Sequence, residues 1–270
     1  MLSPNKILIR NNVNIIGSGE TTLILAHGFG CDQNMWRFLT PELSKHFTVV
    51  LFDYVGSGAS DISQYSPQRY QNLEGYADDV IEICHALELT KAIFIGHSVS
   101  SIIGGIVATK QPSLIAKLVM VCPSPCFLNI PPDYRGGFEE EDLLELLNLM
   151  DKNYIGWANY LAPLVIGNAH SDELVGELSG SFCSTDPIIA KNFAAATFLS
   201  DHRDLLKNIQ QPSLVFQSRN DALAAISVGE FVANEIPNSS LEIISADGHC
   251  LHMTHSDKII GSILNYAQPQ

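Results

Sequence analysis

The sequence predicts an α/β protein built on a mostly parallel, twisted sheet flanked by helices. Three observations carry this reading. Short apolar blocks recur along the chain, and they are continuous rather than alternating, the pattern of strands buried on both faces. Amphipathic stretches of helical length separate them, and strands alternating with helices imply parallel pairing through crossover helices. Between residues 123 and 206 the rhythm breaks, and only helical patterns are legible there.

Ile7–Ile9 and Val13–Ile16 flank Asn11-Asn12, which predicts an opening hairpin or meander. The expected core strands are Leu23–Ala26, Thr48–Phe52, Ala92–Ile95, Lys117–Val121, Leu214–Gln217 and Leu241–Ile244. The expected helices between them are Met35–Leu43, Gly75–Leu87, Val99–Lys110, Ser227–Glu235 and Ser256–Tyr266. The irregular region begins with PSPCFLNIPP, whose prolines stop regular structure. EEEDLLELLNLM follows as a strongly amphipathic helix, then helical segments near Tyr154–Leu164, Glu173–Phe182 and Pro187–Leu199. Residues 1–122 and 207–270 are therefore read as one core, and 123–206 as a helical insertion before the sixth parallel-type strand region. An insertion at the carboxyl edge of a parallel sheet sits over the crevice where such folds bind ligands.

Composition narrows the function. Of 270 residues, 46% are hydrophobic and 16% charged, enough to bury a large core and the reverse of a disordered chain. The net charge of -14 repels phosphate backbones and anionic lipid, so neither nucleic acid nor membrane is an expected partner. The longest apolar run, Ala92–Ala108, is interrupted by Gly96, His97, Ser98, Ser100 and Ser101 and makes a poor membrane span. The first residues have no charged lead followed by an apolar stretch, so no signal peptide is expected. The six cysteines are scattered without a C-x-x-C pair, which argues for reduced thiols and a cytoplasmic setting rather than a zinc ribbon or redox motif.

The chemistry centres on IFIGHSVSS, residues 93–101. A strand running into Gly96-His97-Ser98-Val99-Ser100 and then a helix matches the nucleophile elbow G-x-S-x-G, with Ser100 in place of the last glycine. In this arrangement an acid and then a histidine should follow in chain order. Asp221 lies just beyond the strand LVFQS, and His249 on the loop after LEIIS. Asp247 is the rival acid, but a carboxylate from the neighbouring loop is better placed to hold the imidazole from behind. Ser98 is thus the candidate nucleophile, His249 its base and Asp221 the group that orients the ring. The oxyanion developing on a substrate carbonyl would meet the N–H of Val99 and, from the HGFG loop, that of Phe29.

Other features carry less. His249, His252 and His255 recur every three residues, but no H-E-x-x-H frame accompanies them, so no metal is expected. His27 should hydrogen-bond backbone in its loop and His97 should pack, while His46, His85, His170 and His202 carry no motif. DYVGSGAS lacks G-K-[ST] and reads as a turn rather than a phosphate loop. No G-x-G-x-x-G opens a helix, so no nicotinamide, and no other cofactor, is expected.

The segments HGFGCDQNMW, LFDYVGSGASD, RYQNLEGYADDV, FIGHSVSS, VCPSPCFLN, YRGGFEEEDL, NYIGWA, FCSTDP, SDHRDL and GHCLHMTH together resemble the α/β-hydrolase fold family. More narrowly, they resemble the RsbQ type, regulators of the sigma-B energy-stress pathway, and the related karrikin and strigolactone receptor hydrolases of plants. The H-S-V-S-S run is more like the plant receptors, and FCSTDP and SDHRDL more like the bacterial regulators. The resemblance implies a four-helix lid over a small, enclosed apolar pocket lined by Phe29, Phe138, Leu146, Leu161 and Phe198. Plain packing of lid on core is the alternative for that set. The plant receptors have Phe where Leu161 stands, so their ligand does not carry over. Two functions follow as expectations. One is a serine hydrolase of a small hydrophobic ester or lactone. The other is a signalling receptor acting through a serine phosphatase of the RsbP type, for which acidic Glu139-Glu140-Glu141-Asp142 offers a docking face or simply a solvated helix end. Dehalogenases and epoxide hydrolases of this fold are disfavoured because they need Asp at the place of Ser98, whereas haloperoxidases and C–C hydrolases share a serine triad.

Overall fold

The computed structural model describes residues 2–167 and 172–268. In chain order the first half comprises α1 (Pro4–Arg10), β1 (Asn14–Ile16), β2 (Thr22–Ala26), α2 (Thr40–Leu43), β3 (Thr48–Leu51), α3 (Leu73–Ala86), β4 (Ala92–His97), α4 (Val99–Lys110) and β5 (Ile115–Val121). A short antiparallel pair, β6 (Asn129–Ile130) and β7 (Tyr134–Arg135), then leads into α5 (Glu140–Lys152), α6 (Tyr154–Ile166), α7 (Asp172–Ser184), α8 (Pro187–Phe198) and α9 (Arg203–Leu206). The chain returns to the sheet with β8 (Ser213–Asn220), α10 (Ile226–Glu235), β9 (Ser239–Asp247), α11 (Leu251–Thr254) and α12 (Ser256–Ala267).

One seven-stranded sheet has the order β1-β3-β2-β4-β5-β8-β9. β1 runs antiparallel to β3, and every other neighbouring pair is parallel. The helical insertion lies between β5 and β8, the latter being the sixth strand of this sheet in chain order and the fifth of its parallel set. Continuous apolar strands are needed because both faces are covered. Along β2, Leu23 and Leu25 enter a core layer shared with Trp157 and Phe182 of the insertion. Ile24 and Ala26 enter the opposite layer, with Tyr76 of α3 and Ile103 of α4. Full burial of one such leucine or isoleucine stabilises the fold by about 1.5–3 kcal/mol.

Three expectations change. Ile7–Ile9 is part of α1, not a hairpin strand. Pro4 presets the backbone of the first helical turn, and Arg10 at the other end reaches Asp79 (3.1 Å) and Glu82 (2.6 Å) on α3. A short apolar run does not by itself separate helix from strand, and here a tertiary ion pair decides. Met35–Leu43 is not one helix but a 3₁₀ turn over Gln33–Trp36 followed by α2, with Pro41 restarting the backbone. β9 has the texture of a buried strand but stands at the sheet edge, with Ile243 exposed.

The DYVGSGAS segment is a turn organised by Asp53. Its carboxylate accepts from Gln33 N (2.9 Å), Ala59 N (3.0 Å) and Asn12 Nδ2 (2.8 Å). Its acceptor capacity is spent on the protein's own backbone and on one side-chain amide.

Candidate active site

Ser98 is placed by the end of β4 and the start of α4. Its backbone sits at φ +54° and ψ -121°, outside the regions L-residues favour. Such a conformation costs on the order of 1–3 kcal/mol and persists only where the surroundings enforce it. Ser98 N donates to Val121 O (2.8 Å), and Ser101 N to Ser98 O (2.9 Å). At Gly96 a Cβ would stand 2.5 Å from the carbonyl carbon and oxygen of Ser100, so the first small residue of the elbow has to be glycine. Ser100 is tolerated because its side chain points elsewhere. Its hydroxyl donates to His27 O (2.5 Å) and pairs with the Tyr54 hydroxyl (2.9 Å).

The structure brings Ser98, His249 and Asp221 into one hydrogen-bonded line. Ser98 Oγ lies 2.8 Å from His249 Nε2, and His249 Nδ1 lies 2.7 Å from Asp221 Oδ2. Asp221 Oδ1 accepts from Leu223 N (2.9 Å) and Ala224 N (3.0 Å), and Gln217 Nε2 approaches Oδ2 at 3.3 Å. Burial pushes the Asp221 carboxyl up, but the adjacent imidazole and these donors outweigh it and hold it below the usual carboxylate range. The rival, Asp247, is turned away and accepts from Asn220 Nδ2 at 2.6 Å. The His249 loop is pinned to the insertion, since His249 N donates to Val165 O at the end of α6 (2.7 Å).

Val99 is the first residue of α4, so its N–H has no carbonyl within the helix to pair with. Phe29 follows β2 on the loop beside the same cavity. Gly30 next to it adopts φ +71°, and a Cβ there would meet the Phe182 ring at 2.2 Å. The Phe29 ring meets Trp157 (6.0 Å), Phe193 (5.6 Å) and Phe198 (5.7 Å) edge-on and stacks against Phe182 (6.1 Å).

The expected pocket residues divide. Phe29, Leu161 and Phe198 line a small cavity of about 30 Å³ that also contains Ser98 and His249. Phe138 and Leu146 do not reach it. They line a larger groove of about 860 Å³ on the outside, because Leu161, Phe198 and Leu223 stand between the two spaces and line both.

Several contributors were not legible in the sequence. His97 does more than pack, since its Nε2 donates to the backbone carbonyl of His249 (3.0 Å) while its ring lies against Gly28 of the HGFG loop. Burial holds it neutral, well below the ordinary histidine range. Cys122, at φ +50° after β5, abuts Asp221, and burial followed by that charge keeps it a thiol. His97 fills the variable position of the elbow and Cys122 lies outside it, and their separations from His249 and Asp221 in sequence are too large for any spacing rule to reveal. His27 behaves as expected, donating to Gly28 O (2.8 Å) and accepting from Tyr54 N (3.1 Å).

The evenly spaced histidines do not converge. His249 faces Ser98 and Asp221, His252 lies between the rings of Trp36 and His97, and His255 Nδ1 is 3.0 Å from Thr254 Oγ1. Donor atoms of a different set, His97, Cys250 and His252, lie within 4.8 Å of one another. Burial raises the Cys250 thiol well above its ordinary range. His170 lies outside the described residues. The six cysteines are all free, and only Cys183 is exposed.

A strained serine at a strand–helix turn, an acid and a histidine at the ends of the last two strands, and helices over the carboxyl edge of the sheet define a class of protein. The chain belongs to the α/β-hydrolase family: the model for the alpha/beta hydrolase fold matches residues 21–256. A solved hydrolase from Oleispira antarctica is 60% identical, with a TM-score of 0.98 covering 100% of this chain and 98% of that one. The Karrikin insensitive 2 receptor CA of Petunia hybrida is 39% identical over 257 residues, 95% of each chain. Strigolactone esterase D14 of Arabidopsis thaliana is 34% identical over 249 residues, 92% of each chain. Among the described residues no helix is long and apolar enough to cross a membrane.

Proposed function

We propose that the protein is a serine hydrolase that cleaves a small hydrophobic ester or lactone through an acyl-enzyme. The observation that carries this reading is the Ser98–His249–Asp221 line, with links of 2.8 and 2.7 Å, opening on an apolar cavity. Ser98 Oγ attacks the carbonyl carbon as His249 Nε2 takes its proton. Asp221 holds the ring with Nε2 free to do so and stabilises the imidazolium. The carbonyl oxygen becomes an oxyanion facing Val99 N–H and Phe29 N–H, and loss of one such donor typically costs about 2.7–4 kcal/mol of transition-state stabilisation. His249 then protonates the leaving oxygen, and water releases the acyl group by the same steps in reverse order. The test is intact mass after exposure to a serine-reactive phosphonate. One adduct on the wild type and none on Ser98→Ala is expected. An unlabelled, folded wild type would sink the reading.

A second reading adds a signalling role of the RsbQ type, in the cytoplasm, through a serine phosphatase of the RsbP type. Kinship with proteins named as receptors supports it, as does an acidic exposed face at the start of α5, Glu139 to Asp142. Part of that face has a local role, because Glu139 and Asp142 form a capping box. Glu140 and Glu141 are free of that role. Glu140→Lys with Glu141→Lys should abolish activation of a reconstituted phosphatase while ester turnover persists. Unchanged activation would count against this surface.

A further inference from the structure

The loop after β2 is held from two sides, and one of them is the insertion. Residues 28–31 form a turn, in which Cys31 N donates to Gly28 O (3.3 Å) and Gly30 stands at φ +71°. A glycine of positive φ at this third position lets the chain turn without strain. From the core side, His27 Nδ1 also donates to Gly28 O (2.8 Å). From the other side comes α7. Ser181 Oγ donates to Gly30 O (2.8 Å), and the ring of Phe182, next in the chain, lies against Gly30 and stacks on Phe29 (6.1 Å).

These bonds join two peptide groups in series. A planar trans peptide points its C=O and its N–H in opposite directions. Gly30 O and Cys31 N belong to one such group, and Gly28 O and Phe29 N to a second. The Ser181 hydroxyl holds the Gly30 carbonyl, and the N–H of that same group holds the Gly28 carbonyl. At the far end of the second group is the N–H of Phe29. It has no hydrogen-bond partner among the described residues, and Phe29 lines the cavity that contains Ser98 and His249. Hydrogen bonds in such a chain polarise one another, so a donor at one end strengthens the donor at the other.

We propose that Ser181 is a positioning residue for the oxyanion donor: through two peptide groups it aims and polarises the Phe29 N–H. This rests on the serine-hydrolase reading and deepens it, because a helix of the insertion becomes part of what makes the site competent. Ser181 touches no reacting atom. Its hydroxyl reaches a loop 151 positions earlier in the chain and fixes the plane of the Gly30–Cys31 peptide. His27 fixes the Gly28 carbonyl from the core, and the Cys31 N–H that Ser181 orients fixes it from the turn. With both bonds made, the Phe29 N–H has one direction before substrate arrives, which is the condition for a preorganised donor.

The test uses the whole protein with Ser181→Ala and Ser181→Thr, and rates are taken per site titrated by the phosphonate, so folded fraction drops out. Ser181→Ala is expected to lower kcat for nitrophenyl acetate by about 5–100-fold with KM nearly unchanged. That is less than the roughly 10²–10³-fold loss on removing a whole oxyanion donor. Ser181→Thr keeps the hydroxyl and should recover most of the rate. Trifluoromethyl ethyl ketone gives the specific readout. Its carbonyl carbon bonds to Ser98 Oγ, its oxygen takes the negative charge, and the serine proton passes to His249. Its inhibition constant should rise in Ser181→Ala by the factor that kcat falls, while that of ethyl methyl ketone, bound without an adduct, stays the same. Glu177→Gln weakens another polar tie of α7, to Arg37, and should change neither kcat nor the fluoroketone constant. A wild-type kcat in Ser181→Ala, an equal loss for both ketones, or a Ser181→Thr as slow as Ser181→Ala would overturn the positioning role alone, since Ser98 would still take the phosphonate. A loss in Glu177→Gln as large as in Ser181→Ala would do the same. A folded wild type that takes neither phosphonate nor fluoroketone would overturn both readings.

Discussion

Ser98 carries its strain for a reason visible in its neighbours: the turn lifts its hydroxyl out of the sheet to where His249 can reach it. Ser98→Ala should lower kcat on the order of 10⁶-fold with folding intact, measured with an activated ester and checked by a thermal melt. Asp221→Asn should lower kcat by about 10⁴-fold, because the amide no longer selects the tautomer with the proton on Nδ1. His97 is a positioning residue. His97→Phe removes its bond to the His249 carbonyl (3.0 Å) and should lower kcat while leaving KM nearly unchanged, which steady-state kinetics separates. Ser100→Ala leaves the His27 carbonyl and the Tyr54 hydroxyl without their buried partner, a loss of about 1–3 kcal/mol in urea unfolding.

Among elements, the attachment of α1 and the ties of the insertion make opposite cases. Asp79 on α3 is fully buried, forms an ion pair with Arg10 (3.1 Å), and accepts from Arg69 (2.7 Å) and the Tyr70 hydroxyl (3.0 Å). Removing its charge leaves Arg10 and Arg69 with Glu82 as the carboxylate they share, so Asp79→Leu should destabilise by no more than about 3–5 kcal/mol in urea denaturation. Arg37 reaches Glu177 of α7 with both nitrogens, at 2.6 and 2.5 Å, yet both side chains are more than a third exposed. Arg37→Ala is expected to change stability by less than about 1 kcal/mol. The insertion is held by burial instead, with Trp157 and Phe182 packed in one core with the sheet.

At the scale of the whole molecule, buried neutral histidines make the fold sensitive to acid. Burial pulls His252 down to about 3, and it also lowers His27 and, further, His97. Below the ordinary value of about 6.5 the unfolded chain binds protons at these sites and the folded chain does not. Stability must therefore fall as pH drops below about 6.5, and for His252 it keeps falling until pH nears about 3. The depressed Asp221 carboxyl adds a loss of the same sign at lower pH, below the ordinary carboxylate value. A lower Tm at pH 5 than at pH 7 is expected, and His252→Phe should flatten that slope. An identical slope in the variant would remove His252 from the account.

Period, motif and chain order were enough to read the alternating strands and helices, the four long helices of the insertion, and Ser98 and His249 at the carboxyl ends of β4 and β9. These depend on local patterning, where each residue's neighbours in sequence are also its neighbours in space. The sequence also favoured Asp221 over Asp247, from its place on the neighbouring loop, but the partners of the two acids belong to a different kind of information. Both acids stand on suitable loops, and only the packed loops show one carboxylate at His249 and the other at Asn220. The same holds for α1, whose short apolar run becomes a helix through an ion pair to α3. It holds for His97, which supports a residue 152 positions away. It holds also for Phe138 and Leu146, which share an apolar pattern with Leu161 and Phe198 but face a separate space. The sequence by itself determined which chemical groups the site would contain. Only the tertiary structure decided how they are partnered and how the space around Ser98 is divided, because both depend on contacts between segments that no sequence spacing relates.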